Sequence, residues 1–186
     1  VTTPRLILFP SVADAIPPDL HQWRASLLDA GLTGAPLSSS GDECFRTGKR
    51  FLDFVSFLGC SPTLNLDGSE SDKDSPNTYS IEVPVPVAEV QFLGDPAGAP
   101  RCPGCGAGFA DWRDHMPDKV QDELPCPHCG KGFAAMAWNW RRQAGFGRYW
   151  INVRGVHEGE AVPTDSLLAA LKRLSGVVWD YAYSRT

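Results

Sequence analysis

No apolar run long enough to span a bilayer stands out in these 186 residues. The N-terminal run Leu6-Ile7-Leu8-Phe9 is four residues long and follows no basic segment, so neither a signal peptide nor a membrane span is expected. Cationic excess is missing as well. The net charge is −5, which argues against attraction of the whole molecule to nucleic acid. Familiar catalytic signatures are also absent: no metalloprotease H-E-x-x-H, no G-x-S-x-G elbow, no dinucleotide G-x-G-x-x-G after a strand. Gly48-Lys49 is not a phosphate loop, because Glu43 stands where the first glycine is needed and Arg50 where Ser or Thr is needed. Wholesale disorder is excluded by a hydrophobic content of 42%.

What is present is a repeat. Cys102-Pro103-Gly104-Cys105-Gly106-Ala107-Gly108-Phe109-Ala110 returns as Cys126-Pro127-His128-Cys129-Gly130-Lys131-Gly132-Phe133-Ala134, so C-P-x-C-G-x-G-F-A is written twice. A Cys-x-x-Cys turn aims two thiolates at one point. Two such turns, separated by residues 106–125, can supply a tetrahedral four-sulfur site. The glycine after each second cysteine allows φ > 0, which turns amide N–H groups back toward the sulfurs. A single redox C-x-x-C beside a βαβ unit is a poorer match to two copies.

In these turns the segment from about Pro100 to Met136 resembles the zinc ribbon. The resemblance implies Cys102, Cys105, Cys126 and Cys129 as ligands to Zn²⁺. Rubredoxin-type iron sites share the C-P-x-C-G turn, which makes iron the runner-up. Four thiolates leave no open coordination position, so the implied role is structural: to hold a segment too small for its own core. His115 and His128 read as exposed loop histidines. Thiolate ligands suit a reducing compartment, and the cytoplasm is the expected location.

Around the ribbon the chain reads as one α+β (or α/β) domain with a mixed sheet. Residues 1–99 form its first part, 100–136 the inserted ribbon, and 137–186 a strand–helix–strand second part. Arg5 to Phe9 is a strand. Pro17-Pro18-Asp19 opens a helix carrying Leu20, Trp23, Leu27 and Ala30, stopped by Gly31. Thr33 to Ser39 is a loop. Ser40 and Glu43 fit a capping box for a helix reaching Gly59, with Phe51, Phe54, Val55 and Leu58 as its buried stripe. Cys44 and Cys60 are free thiols. Residues 67–75 form an acidic, serine-rich linker. Thr78 to Phe92 alternates like a strand, but Pro84 and Pro86 place it at a sheet edge or break it in two. Tyr149 to Val156 is a strand, Pro163-Thr164-Asp165 starts a helix with Leu167, Leu168, Leu171 and Leu174 inward, and Val177 to Tyr183 closes as a strand. That ending is a βαβ unit or half of a ferredoxin-like sandwich.

Charge is uneven: residues 1–100 carry 13 acidic and six basic side chains, residues 101–186 nine acidic and 11 basic. Lys131 to Arg154 contains no acid and interleaves Arg141, Arg142, Arg148 and Arg154 with Trp138, Trp140, Phe146, Tyr149 and Trp150. Such a mixture suits a stacking groove for single-stranded nucleic acid. Equally, Trp138 and Trp140 share one face at a spacing of two and suit a core. Three classes of function follow. The first is an interaction module whose structural ribbon faces a protein partner. The second is a nucleic-acid binder using Trp138, Trp140, Arg141, Arg142 and Arg148. The third is an enzyme with residues scattered in sequence. Its closest motif is Pro125-Cys126-Pro127-His128-Cys129, a deaminase-like P-C-x-x-C without its upstream H-x-E; His157-Glu158-Gly159-Glu160 lies downstream. The first is the reading preferred on sequence, with no catalytic residues assigned.

Overall fold

The computed structural model describes residues 3–37, 43–59, 79–96 and 98–185. Its central element is a six-stranded sheet built from β1 (Arg5–Pro10), β2 (Thr33–Pro36), β3 (Cys44–Thr47), β5 (Ser80–Glu82), β10 (Ile151–Arg154) and β12 (Trp179–Ser184), in the order β12-β1-β10-β5-β3-β2. Every adjacent pair is antiparallel, so the α+β class holds while the sheet is not mixed.

Side chains alternate across a pleated strand, and here the alternation separates two different faces. Leu6, Leu8, Ile81, Ile151 and Val153 enter the main core, where they meet helices α1 (Leu20–Ala30), α2 (Phe51–Phe54) and α4 (Asp165–Ser175) through Trp23, Leu27, Phe51, Phe54, Leu167 and Leu171. Trp23 stacks on Trp179 with ring centroids 5.6 Å apart. Both long helices begin at side-chain caps, Asp19 accepting from the Gln22 amide and Thr164 from that of Leu167. Both end at glycines in the left-handed region, Gly31 and Gly176.

β10 and β12 both run antiparallel to β1, which lies between them. They are therefore parallel to each other, and α4 joins them as a split βαβ unit. The expected C-terminal strand–helix–strand is realised in this form, with a short strand β11 (Ala161–Pro163) on the way to α4 that pairs with β4 (Val55–Phe57).

Three expectations need correction. The helix drawn up to Gly59 is not formed over its described part: Cys44–Thr47 is a strand, and only Phe51–Phe54 is helical. Gly48 lies against the backbone of Gly31, where an added Cβ would fall 2.2 Å from the carbonyl oxygen, and this contact belongs to a turn between strand and helix. Phe51, Phe54 and Val55 are buried as expected, but Leu58 is 60% exposed. Second, the loop placed at Thr33 to Ser39 begins as strand β2. Third, of the two readings of Thr78 to Phe92, the break into two strands holds, as β5 and β6 (Gln91–Leu93), and the edge strand does not. β5 is not an edge strand; β10 and β3 pair with it on both sides. The Ser40–Asp42 part of the capping box, Cys60 and the acidic stretch 67–75 lie outside the described residues. No helix among the described residues is long and apolar enough to cross a membrane.

Candidate metal centre

The double knuckle folds as two matching turns. In the first, the Cys102 amide donates to the Ala107 carbonyl and the Gly106 amide to the Cys102 carbonyl, each at 2.9 Å. In the second, Cys126 donates to Lys131 and Gly130 to Cys126, again at 2.9 Å each. Gly106 and Gly130 hold φ of 74° and 70°, the left-handed conformation expected for the glycine of each motif. The second turn caps a hairpin of β7 (Glu123–Pro125) and β8 (Gly132–Ala134). The first is closed by an antiparallel bridge between Arg101 and Gly108, and Arg101 also bridges Asn139. Repeated sequence has become repeated geometry.

These turns bring Cys102, Cys105, Cys126 and Cys129 together, with all four sulfurs within 4.8 Å of one another. Cys102 Sγ lies 3.8 Å from Cys129 Sγ, and Cys105 Sγ lies 3.8 Å from Cys126 Sγ. A metal bound tetrahedrally at about 2.3 Å from each sulfur requires S···S edges of about 3.8 Å. Two of the six sulfur pairs thus stand at the spacing of a tetrathiolate site, and the whole cluster lies within an ångström of it. Both contacts lie far beyond the ~2.05 Å of an S–S bond.

Backbone amides support the sulfurs. The Gly104 amide donates to Cys102 Sγ at 3.3 Å. Desolvation disfavours ionisation of Cys126, yet the Cys129 and His128 amides and the neighbouring thiols outweigh it and lower the pKa from 9.0 to about 6. At Cys105 the Ala107 amide favours the thiolate. Desolvation and hydrogen bonds with the other three thiols prevail there and push it up to about 11. One thiolate is therefore accessible near neutral pH, and a cation entering the cluster would ionise the rest.

The ribbon does not lack a core, as had been expected from its length. Cys102 and Cys126 are buried in a cluster with Phe109, Trp112, Leu124, Trp138, Trp140 and Phe146. Trp140 packs edge-on against Trp112 at 4.8 Å and Phe92 at 5.0 Å, and its Nε1 donates to the Ala135 carbonyl at 3.0 Å. The cluster draws on Ala13 and on residues from Val90 to Phe146, beyond the 100–136 limits read from the motif. Its antiparallel pair of β6 with β9 (Gly145–Gly147) reaches the main sheet at Phe9, whose ring leaves no room for a Cβ at Gly145. The sequence signal for this core was the spacing of Trp138 and Trp140, which does place both indoles inward.

The residues singled out for a nucleic-acid or partner surface are distributed differently from that reading. Trp138 and Trp140 are 3% and 5% exposed and offer no ring face to a stacked base. Arg141 and Arg142 are exposed and occupy the two central positions of a turn closed by the Gln143 amide on the Trp140 carbonyl. With φ of 53° and 59°, it has the handedness of a type I′ turn. Arg141 donates to the Ala99 carbonyl, and Arg142 pairs with Asp180 at 3.0 Å while its guanidinium carbon lies 3.9 Å over the Tyr181 ring. Arg148 donates to the Val87 carbonyl. Arg142 thus ties its turn to β12, while Arg141 and Arg148 hold the irregular backbone at Ala99 and Val87. His115 stacks on Phe109, and His128 is exposed between Cys126 and Cys129; neither belongs to the thiol cluster. A groove of about 480 Å³ runs beside the knuckles, lined by Phe109, Asp111, His115, Pro125 and His128 among others.

No family model, curated protein or solved structure matches the chain.

Proposed function

We propose that this is a zinc protein in which the four-cysteine ribbon is structural and presents a surface to a protein partner. The observation that carries the metal assignment is the 3.8 Å separation within the Cys102–Cys129 and Cys105–Cys126 pairs. Zn²⁺ fits such a site because it has no geometric preference beyond the tetrahedron and accepts four thiolates. Bound there, the ion would serve as a cross-link joining two turns about 20 residues apart in sequence, and all four coordination positions would be filled by protein. Iron would satisfy the same ligands and is separable by its thiolate charge-transfer colour, which zinc lacks.

The partner half of the proposal rests on the groove next to the knuckles. Phe109, Pro125 and Pro127 give it apolar walls, and Asp111, His115 and His128 give it polar groups. Closing the metal site fixes this groove, since Cys126 and its flanking prolines line it. Burial of Trp138 and Trp140 removes the support for base stacking and leaves the protein partner as the better reading.

Elemental analysis of purified protein, with absorbance between the ultraviolet and visible, tests the metal. One zinc per chain without visible colour is expected; a coloured iron site or no metal would overturn the assignment. Fluorescence anisotropy with labelled single-stranded RNA separates the partner classes. Binding that weakens steeply with salt would displace the protein-partner reading, because phosphate contacts release counterions.

A further inference from the structure

The four thiols are not equally placed. Cys102 and Cys126, the first cysteine of each knuckle, are buried, whereas Cys105 and Cys129, the second of each, are exposed. The two 3.8 Å contacts each join an exposed thiol to a buried one, Cys129 to Cys102 and Cys105 to Cys126. Both contacts also cross from one knuckle to the other. An oxidant arriving from solvent meets Cys105 or Cys129 first, and each already has a sulfur of the opposite turn beside it. That is the arrangement of an accessible thiol next to a resolving thiol.

Packing holds the two turns in this relation. The Phe133 ring of β8 lies against Gly104, where an added Cβ would fall 2.9 Å from it, and the Lys131 side chain lies beside the same residue. Cys102 and Cys126 share one hydrophobic cluster with Phe109, Leu124 and Trp138. Within each knuckle the backbone is fixed by its own amides. Gly106 donates to Cys102 and Cys102 to Ala107, with the matching pair of bonds at Gly130 and Cys126. Drawing Cys102 and Cys105 to the ~2.05 Å of an S–S bond strains such a turn, because both anchors lie on it. Drawing Cys102 to Cys129 moves the two turns toward each other as units.

We propose that the cluster is a peroxide-responsive switch that closes as two disulfides between the knuckles, Cys102–Cys129 and Cys105–Cys126. The exposed thiolate attacks one oxygen of hydrogen peroxide, the O–O bond breaks, and the cysteine becomes a sulfenic acid while the other oxygen leaves as hydroxide. The buried partner thiolate then attacks the sulfenic sulfur, the S–S bond forms, and a second hydroxide leaves. Each hydroxide takes up a proton. One disulfide thus consumes two thiolates, one hydrogen peroxide and two protons, and two waters are released. The first disulfide removes half the ligands of a tetrathiolate site and the second removes the rest, so the ion is given up. That release rests on the zinc reading above, whereas the pattern of cross-links rests on the thiols alone. Cys126 lines the groove beside the knuckles, so the covalent change is made at the groove wall.

Peptide mapping of the unmodified chain decides between the pairings. Trypsin cuts after Arg101, Arg113, Lys119 and Lys131, which places Cys102 and Cys105 on the peptide 102–113 and Cys126 and Cys129 on 120–131. The reduced, zinc-loaded protein is treated with hydrogen peroxide beside a colorimetric zinc chelator, quenched with an alkylating agent and digested. The expected product is the two peptides joined, with none of their cysteines alkylated, appearing in step with transfer of zinc to the chelator. Fragmentation should place the links at Cys102–Cys129 and Cys105–Cys126. Peptides that stay separate with internal disulfides, links in the other crossed pairing, oxidation that stops at sulfinic acid, or thiols that survive peroxide all overturn the proposal. A chain that holds no zinc yet gives the joined product refutes the zinc reading and leaves the switch standing. Brief alkylation of the reduced protein should label Cys105 and Cys129 ahead of Cys102 and Cys126, and the reverse order overturns the assignment of the thiols attacked first.

Discussion

Alanine at Gly106 or Gly130 isolates one cause of knuckle geometry. A Cβ built at either position meets no atom within 4 Å, so the substitution adds no clash. What remains is the conformational penalty at φ of 74° or 70°, about 1–2 kcal/mol for an L-residue in the left-handed region. Against that stands a gain of about 0.4–1 kcal/mol from the stiffer unfolded chain. The net loss is about 1 kcal/mol, or about fivefold in metal affinity if the strain is felt only in the closed site. Competition with a colorimetric zinc chelator reads this directly, and circular dichroism checks that the main sheet persists. Because the hydrogen bonds of the two turns are the same, both variants should weaken the site equally, within about 0.5 kcal/mol. An unchanged affinity would show that the left-handed glycines are not required. Complete loss in one variant with no effect in the other would refute the equivalence of the two turns.

Other predictions follow from the separate cores. Cys126→Ser should abolish stoichiometric metal binding and raise hydrogen exchange at the Cys102, Gly106 and Gly130 amides, while β1 and β10 amides stay protected; retained metal, or loss of protection throughout, would contradict it. Trp140→Ala should cost about 3–5 kcal/mol in denaturant unfolding, because it empties the centre of an aromatic cluster, whereas a loss under 1 kcal/mol would mean that the indole is not core. Stability should fall as pH rises from about 10 to 12. Burial raises Tyr183 from 10.0 to about 12, aided by nearby Tyr181 and Glu158 and opposed by Arg142. Its hydroxyl donates to the Ala161 carbonyl at 2.7 Å, so the phenol ionises more readily unfolded than folded. The stabilising effect is full below pH 10 and is lost through the folded pKa. Tyr183→Phe should flatten the unfolding midpoint across that window, and an unchanged slope would remove Tyr183 from the explanation.

Local chemistry was legible where it is local. The repeated C-P-x-C-G turns specify their own hydrogen bonds, so Cys102, Cys105, Cys126 and Cys129 could be read from the chain alone, as could the caps and stops of α1 and α4. Periodicity failed at Cys44–Thr47 because the apolar stripe Phe51, Phe54, Val55 fits one helical turn as well as a long helix. Only pairing with β2 and β5, a contact distant in sequence, decides for strand. Pro84 and Pro86 signalled a break, yet nothing in the sequence placed β5 inside the sheet. The basic-aromatic stretch misled for a related reason. Spacing put Trp138 and Trp140 on one face but could not say what covers it, and the cover comes from Phe92, Phe109 and Trp112.

The most direct test of the central claim is native mass spectrometry of the protein purified without added metal. One zinc bound per chain, with all four thiols ionised in the bound state, is the result expected of a tetrathiolate site. A chain whose mass equals that of the bare polypeptide, or that carries a Cys–Cys disulfide in place of an ion, would contradict it.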